Sequence, residues 1–239
     1  MRKKDYSKAF KKVDTRGINK YKLLDLYLNR YPALLIVILL KNTSISPNIL
    51  TLLSFFTGLI AASLYIKGDP ILFKTASVFI FLSSILDCAD GMLARVKEIS
   101  NKYGAYLDVF LDRIVDFTIL TAVSIGVFKQ TKSITLLVLG LLGAGMYLLQ
   151  INLFYLIKSY LNDKKTGDSG ELRFLMFLLI FVFSLLNGLT YFIYIIFIET
   201  TIGVMYHFST ILRFGVKNGI LFSTPLNNKH TKKPETCED

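Results

Sequence analysis

Cysteine and histidine are scarce in this chain of 239 residues, with two of each, and 17 Asp+Glu are outnumbered by 28 Lys+Arg. The two cysteines, Cys88 and Cys237, stand in unlike contexts, one in an apolar run and one in a polar tail. No disulfide framework is indicated, and a reducing environment suffices. His207 and His230 are isolated in sequence and read as an interfacial and a tail residue rather than as metal ligands. A secretory leader is not legible: Arg2, Lys3 and Lys4 open the chain, but no apolar run follows for about thirty residues, farther than a signal peptide allows. The start is expected to be retained and cytoplasmic. The shortage of acid leaves a formal charge of +11, which by itself invites a nucleic-acid partner. That partner is not expected, because the Lys and Arg residues sit between apolar segments and at the ends, where anionic lipid headgroups are nearer.

What the chain does contain is apolar sequence: 53% of its residues are hydrophobic. Disorder is excluded, and a soluble domain is disfavoured by runs such as Leu34 to Leu40 and Phe174 to Ile198. The fold class expected is an all-α integral membrane protein with six transmembrane helices and an N-terminal amphipathic interfacial helix. Residues 1–22 read as a basic arm. Residues 23–46 read as an amphipathic juxtamembrane segment, because the apolar stretch after Pro32 holds only about nine residues where a span needs roughly twenty. The transmembrane domain is read as 47–213 and a polar tail as 214–239. Within the domain the spans are placed at Pro47 to Ile66, Ile71 to Arg95, Gly104 to Phe128 and Ile134 to Leu161. The long run Arg173 to Arg213 is divided at Asn187-Gly188, where turn chemistry interrupts it. A cytoplasmic N-terminus then leaves only Lys67, Lys74, Lys129 and Lys132 on the far side, so both termini are expected in the cytoplasm.

Five aspartates interrupt the second and third spans. An ionised Asp at mid-membrane costs roughly 2.5–3.5 kcal/mol, so the group demands compensation. Asp87 and Asp90 stand three residues apart, and Asp108, Asp112 and Asp116 four apart, so each set occupies one face of its helix. At about 1.5 Å per residue the two sets reach matching depths if the helices are antiparallel neighbours. Asp87, Asp90, Asp108 and Asp112 would then converge. Oxygen ligands without nearby His or paired Cys select Mg²⁺ or Mn²⁺, and four carboxylates suffice for two ions, an arrangement suited to phosphoryl transfer. Gly91, Ala94 and Gly104 leave room for a ligand, and Arg95, Lys97 and Lys102 are placed to hold phosphate oxygens. The same residues also admit plainer readings: small residues mediate helix packing, and loop cations set topology.

The order Asp87-x2-Asp90-Gly91-x2-Ala94-Arg95-x8-Gly104-x3-Asp108-x3-Asp112 resembles the signature of the CDP-alcohol phosphatidyltransferase family at each of its fixed positions. Eight such residues would coincide by chance on the order of once in ten million. Pro47-Asn48-Ile49-Leu50-Thr51 resembles an element found upstream of that signature. The resemblance covers the first three spans. It implies a six-helix membrane enzyme, a homodimer, with two divalent ions in a cytoplasm-facing cavity. It also implies a reaction in which a hydroxyl attacks the β-phosphorus of a CDP-linked alcohol and CMP leaves. On this chain it implies Asp87, Asp90 and Asp108 as metal ligands and Asp112 as a further ligand and general base. Asn48, Thr51, Gly91, Ala94, Arg95 and Gly104 would line the CDP site.

The partners expected are a CDP-lipid donor, a polar alcohol acceptor and membrane lipids. Arg113, followed by Asp116, resembles members that use inositol phosphate or another polyol phosphate, and Arg173 stands where it can hold an acceptor phosphate. A second reading makes Arg173 a topological anchor and Arg113 a neutralising partner of Asp116. A donor carrying the polar alcohol on CDP is the alternative within the enzyme class. A cation or proton transporter lined by the same aspartates is the alternative outside it. No role is assigned to Glu199.

Overall fold

The computed structural model of the chain describes residues 22–99, 101–160 and 169–217. The basic arm up to residue 21, most of the polar loop before Arg173, and the tail beyond 217 with His230 and Cys237 lie outside the described residues. Every regular element described is helical. The first is broken into α1 (Lys22–Asp25), a π turn (Leu26–Arg30) and α2 (Tyr31–Leu40). Pro32 explains the interruption, since it cannot donate to the preceding turn and its ring crowds the carbonyl four residues back; the wider π turn relieves both. This segment turns two polar residues inward and leaves several apolar ones outward. Asp25 and Asn29 are buried, with Asp25 accepting from Arg30 Nε at 2.6 Å, whereas Leu24, Tyr27, Tyr31, Leu35 and Leu39 are exposed. Ala33 and Val37 of α2 pack on Ile85, Ala89 and Leu93 of the helix that carries the first two aspartates.

Six long helices follow: α3 (Pro47–Tyr65), α4 (Pro70–Val96), α5 (Lys102–Thr131), α6 (Ile134–Tyr160), α7 (Ser169–Leu185) and α8 (Leu189–Lys217). Local chemistry sets their ends. Pro47 and Pro70 stand in first turns, where a missing N–H costs nothing. Asp69 caps α4 by accepting from the Ile71 and Leu72 N–H groups, and Asn101 caps α5 by accepting from Gly104 N–H at 2.6 Å. Asn187 takes φ 54° between α7 and α8, so the break falls at the Asn-Gly pair. Four helices, α3, α4, α6 and α8, are long and apolar enough to cross a membrane. The chain is read as a membrane protein. Helix α5 carries three aspartates and an arginine, and α7 has 17 residues, so neither reaches that standard.

Packing departs from the expected arrangement at one point that matters. Helices α4 and α5 are joined by a short connection but barely touch; α3 packs closely on both, and α7 on α4. The approach of α3 depends on small residues. A Cβ at Gly58 would come within 2.7 Å of Val115, and Ser54 and Ser83 each donate to the other's backbone carbonyl at 2.9 Å. With α3 as the wedge, the acidic faces of α4 and α5 look at each other across a gap wide enough for a ligand.

Candidate active site

The gap between α4 and α5 holds the three carboxylates that lie nearest one another. One oxygen each from Asp87, Asp90 and Asp108 falls within 4.8 Å of the other two. Asp90 is 4% exposed and accepts a hydrogen bond from the Thr51 hydroxyl of α3. Asp108 keeps a buried Oδ1 with no hydrogen-bond partner among the described residues. Crowded carboxylates with an unsatisfied buried oxygen repel one another unless a cation joins them. The donor set fits a hard divalent cation: three convergent oxygens, with no His or Cys thiolate in the group, suit Mg²⁺ or Mn²⁺. Asp112 stands outside this trio, with its Oδ1 at 2.8 Å from Arg173 Nη2.

A cavity of about 360 Å³ opens from the trio toward the end of the bundle where α4 turns into α5. Asp90 and Asp108 form one end of its lining, and Asn48, Thr51, Gly91, Ala94, Arg95 and Gly104 line the rest. Thus the residues singled out for a nucleotide share one wall system. A Cβ at Gly91 would meet only the Arg95 guanidinium, at 3.5 Å, an ordinary contact. Packing therefore does not demand glycine there; the space belongs to the cavity. Gly104 is tighter, because a Cβ would lie 3.2 Å from Asn48 Oδ1 and 3.3 Å from Asn101 Oδ1.

Several participants were not legible beforehand. Ser46, Ile99, Asn101 and Ala105 also line the cavity, and only the N-cap chemistry of Asn101 could have hinted at it. Lys97, expected near phosphate, instead donates to the Thr43 and Ile45 carbonyls at 2.7 and 2.6 Å. Two of its three N–H donors are spent on these carbonyls. That ammonium ties the α2–α3 connection to the end of α4.

Deeper in the bundle a second polar group adjoins the trio. Arg173 is 7% exposed and sets Nη1 at 2.8 Å from Asp87 and Nε at 2.9 Å from Asp116. Its Nη2 contact with Asp112 lacks the alignment of a hydrogen bond. Asp116 is fully buried and also receives Arg113 Nη1 at 3.0 Å and the Tyr147 hydroxyl at 3.4 Å. Arg173 is thus a buried bridge, and Arg113 does pair with Asp116. Glu199 accepts from Gln150 at 3.1 Å, away from the aspartates. His207 packs edge-on to Phe154 and Tyr206.

Comparison with known proteins agrees with this geometry. The family model described as CDP-alcohol phosphatidyltransferase matches residues 44–209. An archaetidylinositol phosphate synthase from Pyrococcus horikoshii is 33% identical over 87 residues, covering 36% of this chain and 45% of that protein. A bifunctional IPC transferase and DIPP synthase from Thermococcus kodakarensis is 34% identical over 102 residues, covering 43% of this chain and 23% of that protein. The chain therefore spans less than half the length of these relatives. Among solved structures, Mycobacterium tuberculosis phosphatidylinositol phosphate synthase with CDP-DAG bound superposes with a TM-score of 0.63 at 16% identity, covering 76% of this chain and 94% of that one. The likeness is one of fold.

Proposed function

Because the chain belongs to the CDP-alcohol phosphatidyltransferase family, we propose that it transfers a phosphatidyl-type group from a CDP-lipid to a polar alcohol phosphate and releases CMP. The observation that carries this reading is the aspartate trio set directly beside a cavity lined by Asn48, Thr51, Gly91, Ala94, Arg95 and Gly104. Asp87, Asp90 and Asp108 would be the principal ligands of two Mg²⁺ or Mn²⁺ ions, with Asp112 near one ion as the general base. When bound, such ions neutralise the diphosphate and make CMP a better leaving group. Asn48, Thr51 and the small residues leave room for the cytidine and diphosphate, and Arg95 faces the phosphate oxygens. The acceptor hydroxyl gives its proton to Asp112 and forms a new bond to the β-phosphorus, while the bond from that phosphorus to the CMP oxygen breaks.

The acceptor is read as inositol phosphate or a similar polyol phosphate. The names of the relatives support that class, and the CDP-DAG in the solved structure supports a CDP-lipid donor over a CDP-linked polar alcohol. Both arginines offered for the acceptor phosphate are tied to Asp116, and each keeps one buried nitrogen, Arg113 Nε and Arg173 Nη2, without a hydrogen-bond partner among the described residues. We propose that Arg113 and Arg173 together hold that phosphate. In the membrane, all six long helices are proposed to span, with the α1–α2 segment at the interface, termini and site in the cytoplasm, and two copies forming a homodimer.

The test is CMP formation by detergent-solubilised protein given CDP-diacylglycerol and a panel of polar acceptors, with and without Mg²⁺. Metal-dependent CMP with a polyol phosphate supports the reading; metal flux into vesicles without CMP would favour a transporter. The Arg113→Gln variant should raise KM for the phosphorylated acceptor about tenfold or more and leave the donor KM unchanged. Gly91→Ala should fold normally yet raise the KM for the CDP donor by about tenfold, since the added methyl enters the cavity rather than the packing. Steady-state kinetics against each substrate separates the two effects.

A further inference from the structure

The cavity beside the aspartate trio is walled in part by a stretch with little structure of its own. Residues 41–46, between α2 and α3, form no regular element, and they lead into Ser46, Pro47 and Asn48, which line the cavity. Ser46 stands at the N-cap of α3 but makes no side-chain capping bond, so α3 does not fix the connection from its own end. Within the connection, Thr43 Oγ1 donates to the Leu40 carbonyl at 2.8 Å and accepts from the Ile45 N–H at 3.4 Å. From outside it is held by Lys97, whose Nζ donates to the Thr43 carbonyl at 2.7 Å and to the Ile45 carbonyl at 2.6 Å. The second of these carbonyls belongs to the peptide that enters Ser46.

Lys97 is itself set by the turn that ends α4. The Ile99 N–H donates to the Ala94 carbonyl at 3.1 Å and the Glu98 N–H to that of Arg95 at 3.3 Å, with Glu98 at φ 58°. This pair of bonds around a left-handed residue is a Schellman ending, which reverses the chain sharply. Ala94 and Arg95 before the turn, and Ile99 and Asn101 after it, line the cavity. One turn therefore carries one wall and, through the Lys97 side chain, holds another in place. A lysine serving a phosphate would present its ammonium to the cavity, whereas Lys97 is not among the lining residues and gives two of its three donors to carbonyls. A cation that only set topology would need no fixed partner.

We propose that Lys97 is a positioning residue for the CDP donor: it fixes the α2–α3 connection, and with it Ser46, Pro47 and Asn48, where the nucleotide needs them. This rests on the reading of the cavity as the donor's nucleotide site. Preorganisation of this kind acts on binding, because without it part of the nucleotide's binding energy goes into ordering the connection. That loss falls equally on every cytidine nucleotide, since a wall is released and no phosphate contact is removed.

The experiment compares wild type, Lys97→Met, Lys97→Arg, Thr43→Val and the Lys97→Met/Thr43→Val double variant in detergent with Mg²⁺. Kd values for CMP and CDP are measured by isothermal titration calorimetry, and both KM values by CMP release from CDP-diacylglycerol. Lys97→Met, which has no donor, should raise the Kd of CMP and of CDP by the same factor, about tenfold, and the donor KM with them, leaving acceptor KM within about threefold. Lys97→Arg can reach both carbonyls with parallel N–H groups and should stay within about threefold of wild type throughout. Thr43→Val should weaken both nucleotides several-fold, and its effect should largely vanish in the double variant, where the connection is already released. A clearly larger factor for CDP than for CMP would make Lys97 a phosphate ligand and overturn the proposal. Additive effects in the double variant, or unaltered Kd values in Lys97→Met, would overturn it too. If Lys97→Met does not fold, Thr43→Val carries the test, and unaltered nucleotide Kd values in that variant count against the proposal. Wild type that binds neither nucleotide defeats the reading of the cavity itself, whereas tight wild-type binding with every variant unchanged defeats only the role of Lys97.

Discussion

Asp108→Asn is expected to abolish metal-dependent CMP formation and, in metal-free protein, to raise thermal stability. The two effects share one cause. Asp87, Asp90 and Asp108 bring an oxygen each within 4.8 Å of the others, and Asp108 adds a buried Oδ1 with no hydrogen-bond partner among the described residues. Removing one charge from this group relieves repulsion that the fold otherwise bears, so the apoprotein should melt a few degrees higher. It also removes the ligand that completes the trio. A bound metal supplies several kcal/mol of transition-state stabilisation, so turnover should fall by about a thousandfold or more. Melting curves with and without Mn²⁺ provide the check. Wild type should gain stability on Mn²⁺ addition and the variant should not, and a variant that still gains as much as wild type would remove Asp108 from the ligand set.

Asp112→Asn should lose turnover and keep its metal. Asp112 lies outside the trio and contacts Arg173 instead, so its neutralisation leaves the three nearest oxygens in place. Asparagine is nearly the same shape but cannot take a proton from the acceptor hydroxyl. General base removal costs about 10²- to 10⁴-fold, and kcat should drop by that order while Mn²⁺ binding stays within a few-fold. Isotope-labelled donor in single-turnover experiments would show binding without CMP release. The contrast with Asp108→Asn is the informative part: one variant loses the ion and the other loses the chemistry. Equal loss of Mn²⁺ affinity in both would mean that Asp112 is a ligand first and a base second.

Much of this site is written in local spacing. Three- and four-residue intervals put Asp87 with Asp90, and Asp108 with Asp112 and Asp116, on single helix faces whatever the helices pack against. Pro47, Asp69-Pro70, Asn101 and Asn187-Gly188 bound helices through backbone chemistry that acts within one turn, and the helix ends fall there. Hydropathy likewise marks the long apolar helices, since length and composition need no knowledge of neighbours. Partner choice is another matter. In helices apolar on nearly every side no stripe says which face meets which helix, and in a membrane burial of apolar surface does not choose between protein and lipid.

That is why the tertiary structure alone decided that α3, and not direct contact, spaces α4 from α5, and that the space becomes a cavity. It decided also that Lys97 serves the chain's own carbonyls, and that Arg173, more than fifty residues from Asp116, enters the acid cluster from α7. The sequence by itself determined the helices, the acidic faces and the hard-oxygen chemistry, because periodicity and ionisation are local. The alignment of those faces, and the identity of the cation that holds them, depend on which small residues let backbones approach and on charges meeting across long separations. Only the packed bundle specifies those.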